Sequence, residues 1–105
     1  METRTDHNSL YLIPNADLTA SNVETLRNKM ISYLKSSKEQ QVVMDAAGIE
    51  NIDSLGVNLI IGLYKQVHST ERQFKIINAG DRFLKVAHFF RFPSIFTVQG
   101  REENN

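Results

Sequence analysis

Residues 42–66 have the sequence VVMDAAGIENIDSLGVNLIIGLYKQ, in which an apolar strand is followed by an apolar helix. The run 41–44 is β-branched and apolar without alternation, which is typical of a strand covered on both faces. Residues 54–69 are apolar on nearly every side, which predicts a helix that is mostly buried or covered by a partner. Asp45 ends the strand, and Asp53 immediately precedes the helix.

The same alternation of strand and helix extends outward over the whole chain. Strands are predicted at 9–13, 41–44, 74–78 and 95–98, with helices beginning near 21, 54 and 81. The first helix begins with Ser21-Asn-Val-Glu24, the pattern of a capping box. Such alternation predicts an α/β fold, a single small domain with a mainly parallel central sheet of four to five strands and three to four helices.

Composition bounds the function. The 105 residues suit one domain, and the absence of cysteine excludes a disulfide scaffold, a zinc-thiolate site and a thiol nucleophile. A net charge of zero gives no long-range attraction to nucleic acid or to a membrane surface. No apolar run is long enough for a membrane span. The absence of cysteine fits a reducing cytosol, and we expect a cytoplasmic protein. Polar tails are predicted at 1–8 and 100–105, with the domain at 9–99.

The acidic residues after the strands form the first candidate site. Asp17, Asp45 and Asp53 could converge on Mg²⁺, as in a receiver-like or nucleotide-binding module. Alternatively each caps a turn, a common role of Asp after a strand. We favour the second interpretation, because no adjacent pair of acids follows the first strand. No metal and no cofactor are therefore expected.

Ser54, which opens the second helix, is the second candidate. Its hydroxyl could be the N-cap of the helix, or it could accept a phosphate, which free N–H groups and the helix dipole would favour. The three histidines share no ligand spacing and pair with no serine, so an enzyme is not expected. Gly56 and Gly62 indicate close packing of the second helix or, as the less favoured alternative, approach of another chain.

Aromatic side chains are concentrated at residues 88–92, HFFRF. At helical spacing these phenylalanines cannot all face one core. A surface for a protein partner or for dimerisation is the better explanation of the excess, because a nucleic-acid stacking platform fits poorly with zero net charge.

Residues 42–66 resemble the core of STAS domains, in particular the bacterial anti-sigma-factor antagonists. In that family a strand ends in Asp, and Asp-Ser-(Ser/Thr)-Gly opens an apolar helix that often ends in Tyr-Lys. The matching positions here are Asp45, Asp53, Ser54, Gly56, Tyr64 and Lys65. The remainder of the chain resembles the first loop and helix and the last two strands of the family more weakly.

The resemblance implies a switch between protein partners rather than catalysis. An unmodified antagonist binds an anti-sigma factor that is also a Ser/Thr protein kinase; phosphorylation of the serine releases it, and a metal-dependent phosphatase restores it. Ser54 is the implied phosphorylation site. The implied partner-binding residues are Asp17, Thr19, Ser21, Asp53, Ser54, Leu55, Gly56 and Asn58. A homodimer and a non-switching adaptor subunit remain alternatives.

Three positions depart from the family pattern. Leu55 stands where a second Ser or Thr is common, and the first-loop segment 16–19 lacks the final acid of Gly-Glu-Leu-Asp. Arg91-Phe92 replaces a late Gly-Leu pair. The missing acid weakens the expectation of nucleotide binding and allows a regulated output other than a sigma factor.

Overall fold

The predicted alternation of strands and helices is present, preceded by one additional strand. A computed structural model describes residues 1–101 of the chain. The elements are β1 (Glu2–Asp6), β2 (Ser9–Ile13), α1 (Val23–Ser36), β3 (Gln41–Asp45), α2 (Ser54–Ser69), β4 (Gln73–Ala79), α3 (Asp81–Phe89), a short 3-10 helix (Phe92–Ser94) and β5 (Thr97–Gly100). The α/β class and the mainly parallel sheet are confirmed.

The five strands lie side by side in the order of the chain. β1 pairs antiparallel with β2, and β2, β3, β4 and β5 are parallel to one another. The two central βα units have the same length, because Ser9 pairs with Gln41 and Gln41 pairs with Gln73. The ends of β2, β3 and β4 therefore align at one edge of the sheet.

The prediction of a polar tail at 1–8 was wrong, because residues 2–6 form an edge strand. A two-residue loop, His7 and Asn8, turns the chain back onto β2, and His7 takes a left-handed φ of 55°. Polar and charged side chains are compatible with an edge strand, which is half exposed to water. At the other end Gly100 lies in β5, and residues 102–105 of the predicted tail lie outside the described residues.

All three helices cover the same face of the sheet. Right-handed crossovers between sequential parallel strands place them there. The strand residues in the core with them alternate along each strand and are Leu10, Leu12, Val42, Met44, Phe74 and Ile76. On the opposite face Ser9 Oγ donates to Gln41 Oε1, and Gln41 Nε2 donates to Gln73 Oε1. Val43 is nevertheless buried on this face, beside its register neighbours Tyr11 and Lys75. Because Val42 and Met44 are buried on the helical face, the centre of β3 is covered on both faces, as expected.

The start of α1 also differs from the prediction. The helix begins at Val23, and its N-cap Asn22 makes no side-chain cap hydrogen bond. Asn22 Nδ2 instead donates to the carbonyl of Asp17, and the Ser21 hydroxyl lies 3.4 Å from that of Thr19. The predicted capping box therefore does not form, because these side chains are used within the loop before the helix.

One side chain secures the far end of α1. Arg72, in the turn before β4, donates from Nη1 to the carbonyl of Leu34, from Nη2 to the hydroxyl of Ser37 and from Nε to the carbonyl of Glu39. Two of the acceptors are backbone carbonyls at or beyond a helix terminus, which lack partners within the helix. Arg72 therefore fixes the α1–β3 connection against the α2–β4 connection.

The chain reverses sharply after α3. Arg91, which stands in place of the family's Gly, takes a left-handed φ of 60° before the 3-10 helix at Phe92–Ser94. A left-handed conformation is costly for a residue with a Cβ.

Within residues 1–101, no helix combines the length and apolarity that crossing a membrane requires.

Candidate functional site

Two loops meet at the carboxyl edge of the sheet. The loop after β2 and the loop before α2 form a parallel bridge at Leu18 and Ile52. Leu18 N donates to the carbonyl of Asn51 at 2.9 Å, and Asp53 N donates to the carbonyl of Leu18 at 3.1 Å. The bridge joins the first predicted loop segment to the start of α2, so residues from both predicted motifs form one surface.

Asp17 fixes the second loop from the first. Its Oδ1 accepts the N–H groups of Glu50 at 3.1 Å and Asn51 at 3.0 Å, and its Oδ2 accepts from Asn51 Nδ2 at 3.0 Å. These hydrogen bonds, led by the one from the Asn51 side chain, lower the pKa of Asp17 below its ordinary value. Both oxygens of the Asp17 carboxylate therefore already accept hydrogen bonds from the protein.

Asp53 makes the complementary contact from the second loop to the first. Its Oδ1 accepts the N–H groups of Leu55 at 2.9 Å and Gly56 at 3.0 Å, and its Oδ2 accepts from Ala20 N at 3.0 Å. The bond from the Gly56 N–H is the largest cause that lowers the pKa of Asp53. Asp53 is the N-cap of α2. The alternative in which Ser54 caps the helix was therefore wrong.

Ser54 is the first residue of α2, and its side chain is exposed. It is followed on the surface by Leu55, which is 45% exposed, and by Asn58, with Ser21 exposed on the adjoining loop. The expectation that free N–H groups would receive a phosphate needs correction, because Asp53 already accepts those of Leu55 and Gly56. A group added to Ser54 would act through its charge and size at this surface.

Gly56 is buried beneath this surface. A Cβ at this position would lie 2.1 Å from the carbonyl oxygen of Leu18 and 2.9 Å from Cγ1 of Ile52. Close packing is thus the role of Gly56, and its assignment as a partner-contacting residue is not compatible with its burial. Gly62 differs, since a Cβ there would meet no atom within 4 Å. The packing interpretation was wrong for Gly62.

The strand-end carboxylates do not converge on a metal position. Asp17 and Asp53 accept hydrogen bonds from the two loops, while Asp45 Oδ1 accepts from Asn78 Nδ2 at 3.1 Å and from the N–H of Ala47 at 3.0 Å. Within residues 1–101 no group of three metal-ligating side chains lies together. The turn-capping interpretation of these acids fits the observed contacts.

A shallow groove of about 410 Å³ adjoins the loops. It is lined by Thr19, Ile52, Asp53 and the segment before it, and by Arg82, Lys85 and Val86 of α3. Arg82 Nη1 donates to Asn51 Oδ1 at 2.9 Å, which connects α3 to the loop that Asp17 holds.

The sequence did not indicate Asn51 and Arg82 as residues of this site. The position of Asn51 directly after Glu50 carries no pattern of its own, and Arg82 lies about thirty residues away in the chain.

The comparisons with known proteins agree with this architecture. The family model of the STAS domain matches residues 1–104. A putative anti-sigma factor antagonist from Thermotoga maritima superposes with a TM-score of 0.86 at 15% identity, covering 93% of this chain and 84% of that one. The anti-sigma factor antagonist SpoIIAA, in its unphosphorylated form, superposes with a TM-score of 0.68 at 14% identity, covering 99% and 88%. No curated protein matches by sequence.

The domain thus has the same fold as these two structures. The chain belongs to the STAS domain family.

Proposed function

We propose that this STAS domain is a protein-binding regulator that exchanges partners when Ser54 is phosphorylated. The unmodified domain binds a Ser/Thr kinase of the anti-sigma-factor type, and phosphorylation releases it. A metal-dependent phosphatase restores the unmodified form. The domain itself performs no catalysis, and it acts in the cytoplasm, where ATP supplies the phosphate.

The exposed Ser54 hydroxyl on a rigid support is the observation that carries this proposal. A kinase needs access to the hydroxyl, and Ser54 opens α2 without taking part in its cap. Asp53 provides the cap and also holds the loop at Ala20. Phosphorylation therefore leaves the N-cap in place, so the modified domain stays folded and available to the phosphatase.

Charge provides the physical basis of release. A phosphate adds about −1.5 to −2 charges at neutral pH. It would lie next to the Asp53 carboxylate, whose lowered pKa keeps it ionised, and next to the exposed apolar side chain of Leu55. A partner that covers Leu55 would have to desolvate both charges. Repulsion at an interface costs about 2–5 kcal/mol, which weakens binding by about 30-fold or more.

The first test locates the phosphate. The domain is incubated with ATP and the candidate kinase from the same genome, and the product is mapped by mass spectrometry. One phosphate on Ser54 is expected, with none on Ser54→Ala. Phosphate on another residue, or none with a kinase that binds the domain, would contradict the proposal.

The second test separates charge from folding. Ser54→Ala should bind the kinase as tightly as the wild type, and its stability should change by less than about 0.5 kcal/mol, because Asp53 is the cap. Ser54→Glu should bind at least about tenfold more weakly, since a single charge reproduces part of the effect of phosphate. Ser32→Glu is the matched control on the exposed face of α1 and should bind normally.

A non-switching adaptor is the alternative, and Leu55 in place of the second Ser or Thr is the feature that favours it. In that case the variants Ser54→Ala and Ser54→Glu would bind any given partner with the same affinity. Equal affinities would therefore assign the domain to the adaptor class.

A further inference from the structure

The end of α3 and the turn after it carry an exposed apolar surface that the site at Ser54 does not use. Phe89 is 80% exposed, Phe90 is 42% exposed and Ile95 is 46% exposed. We call these three residues the aromatic patch. Phe89 and Phe90 stand edge to face with ring centroids 5.1 Å apart. Apolar groups clustered in this way on the surface mark interaction sites.

A buried aromatic cluster supports the patch from below. Phe92 is fully buried and lies 6.5 Å from Phe90 and 5.2 Å from Phe96 between ring centroids. Phe96 in turn contacts Phe74 edge to face at 5.0 Å. The exposed rings therefore stand on a rigid base, so a partner that covers them loses little conformational entropy in the domain.

The patch lies away from the phosphorylation surface. α2 and α3 both begin at the carboxyl edge of the sheet, where Ser54 and Arg82 are found. α3 runs from there for nine residues, about 12 Å, toward the opposite edge. Phe89 is the last residue of α3, and Phe90 and Ile95 follow it in the chain. A partner could therefore occupy it while Ser54 is bound or phosphorylated.

Two cations flank the patch along the chain. Residues 83–100 contain Lys85 and Arg91 and no Asp or Glu, although the whole chain has twelve of each sign. Lys85 precedes Phe89 by one helical turn and so lies on the same side of α3. Arg91 is exposed directly after Phe90. An isologous dimer through this surface would place these cations against their own copies, which disfavours a second copy as the occupant.

We propose that the aromatic patch is a second docking surface, which binds a partner segment with bulky apolar side chains flanked by Asp or Glu. The apolar side chains cover Phe89 and Phe90, and the carboxylates lie against Lys85 and Arg91. Lys85 also lines the groove beside Asp53, but Phe89, Phe90 and Ile95 are not among the residues that line it. The domain would then hold one partner constantly while it exchanges another.

Selection from a displayed library of random 16-residue peptides tests this proposal. Peptides are selected on the wild-type domain and counter-selected on Phe89→Ser, a change at an exposed side chain that leaves the core intact. Enrichment of sequences with Asp or Glu next to bulky apolar residues is expected. In a ¹⁵N NMR titration the best peptide should shift the amide signals of residues 85–96 and leave those of 53–58 in place.

Variants then measure each part of the surface. Phe89→Ser should weaken the selected peptide about tenfold or more. Lys85→Glu should weaken it about threefold to tenfold, whereas Lys29→Glu, an exposed lysine on α1, should have no effect. Ser54→Glu should bind the peptide like the wild type, which separates this result from the outcome at the phosphorylation site.

Other results would overturn the proposal. These are a selection that yields no Phe89-dependent peptide, enriched peptides without acidic residues, or unchanged binding by Lys85→Glu. Vesicles of phosphatidylcholine and phosphatidylglycerol are assayed in parallel. Phe89-dependent binding to vesicles without binding to any peptide would assign the patch to a lipid surface instead.

Discussion

Replacing Gly56 with Ala tests how closely the two loops approach the start of α2. The added methyl would lie 2.1 Å from the Leu18 carbonyl oxygen and 2.8 Å from Leu18 Cβ. Ordinary non-bonded contacts are about 3.5 Å, so the loop would have to withdraw by roughly an ångström. That movement strains the two backbone hydrogen bonds of Leu18, to Asn51 and from Asp53.

Three contributions determine how much free energy of unfolding Gly56→Ala should lose. Overpacking costs about 1–3 kcal/mol, and the two strained hydrogen bonds add about 1 kcal/mol each. The better helix propensity of Ala returns about 1 kcal/mol. Gly56→Ala should therefore lower the free energy of unfolding by about 3 kcal/mol, a large fraction of the roughly 5–15 kcal/mol typical of a domain.

Gly62→Ala in the same helix is the matched control. A Cβ at Gly62 meets no atom within 4 Å, so only the helix propensity changes. The control should be more stable than the wild type by about 0.5–1 kcal/mol. Urea unfolding followed by circular dichroism measures both variants. If Gly56→Ala is as stable as the wild type, or if both variants shift alike, the close approach of Leu18 to α2 is refuted.

Three further predictions follow from other contacts. The pKa values of Asp17 and Asp53 are lowered in the folded domain, so the two carboxylates stabilise it fully above the ordinary value of 3.8, and this stabilisation is lost as the pH falls through the lowered values. In urea unfolding from pH 7 to 3, the free energy of unfolding of the double variant Asp17→Asn/Asp53→Asn should therefore decrease less than that of the wild type. Arg91→Gly should raise the free energy of unfolding by about 0.5–1 kcal/mol, because glycine adopts the left-handed φ of 60° without strain, whereas Arg91→Ala should not raise it. If both variants are more stable than the wild type, backbone strain at this position is not the cause. Arg72→Ala should cost about 2 kcal/mol in thermal unfolding, because three hydrogen bonds are lost; a loss below about 0.5 kcal/mol would show that those bonds add nothing net.

The parallel βα units were predictable because their signals are local. The apolar runs at 41–44 and 74–78 and the helical spacing after Ser54 each lie within one element, and each predicted the observed type of structure. β1 escaped prediction because its alternating Thr and charged residues have no apolar face. Its pairing partner, and not its composition, determines that it is a strand.

The candidate site was predictable in part, for a similar reason. The Asp53-Ser54 pair is contiguous, and its place at a helix start follows from the sequence. Which of the two caps the helix depends on side-chain orientation, and the structure assigns the cap to Asp53. The contacts of Asp17 with Asn51 and of Arg82 with Asn51 join residues more than thirty positions apart, so no local pattern could indicate them.

The sequential strand order has a consequence for how the chain folds. Within residues 1–101 each strand pairs only with its immediate neighbours along the chain, and paired residues of β2 and β3, and of β3 and β4, are 32 positions apart. Each strand can therefore pair once its neighbour in the chain has formed, and the sheet can grow by adding one βα unit at a time to an existing edge. Closing each crossover still costs loop entropy, but less than pairing with a strand further along the chain would. Two-state kinetics without a long-lived intermediate are the expected behaviour of this domain.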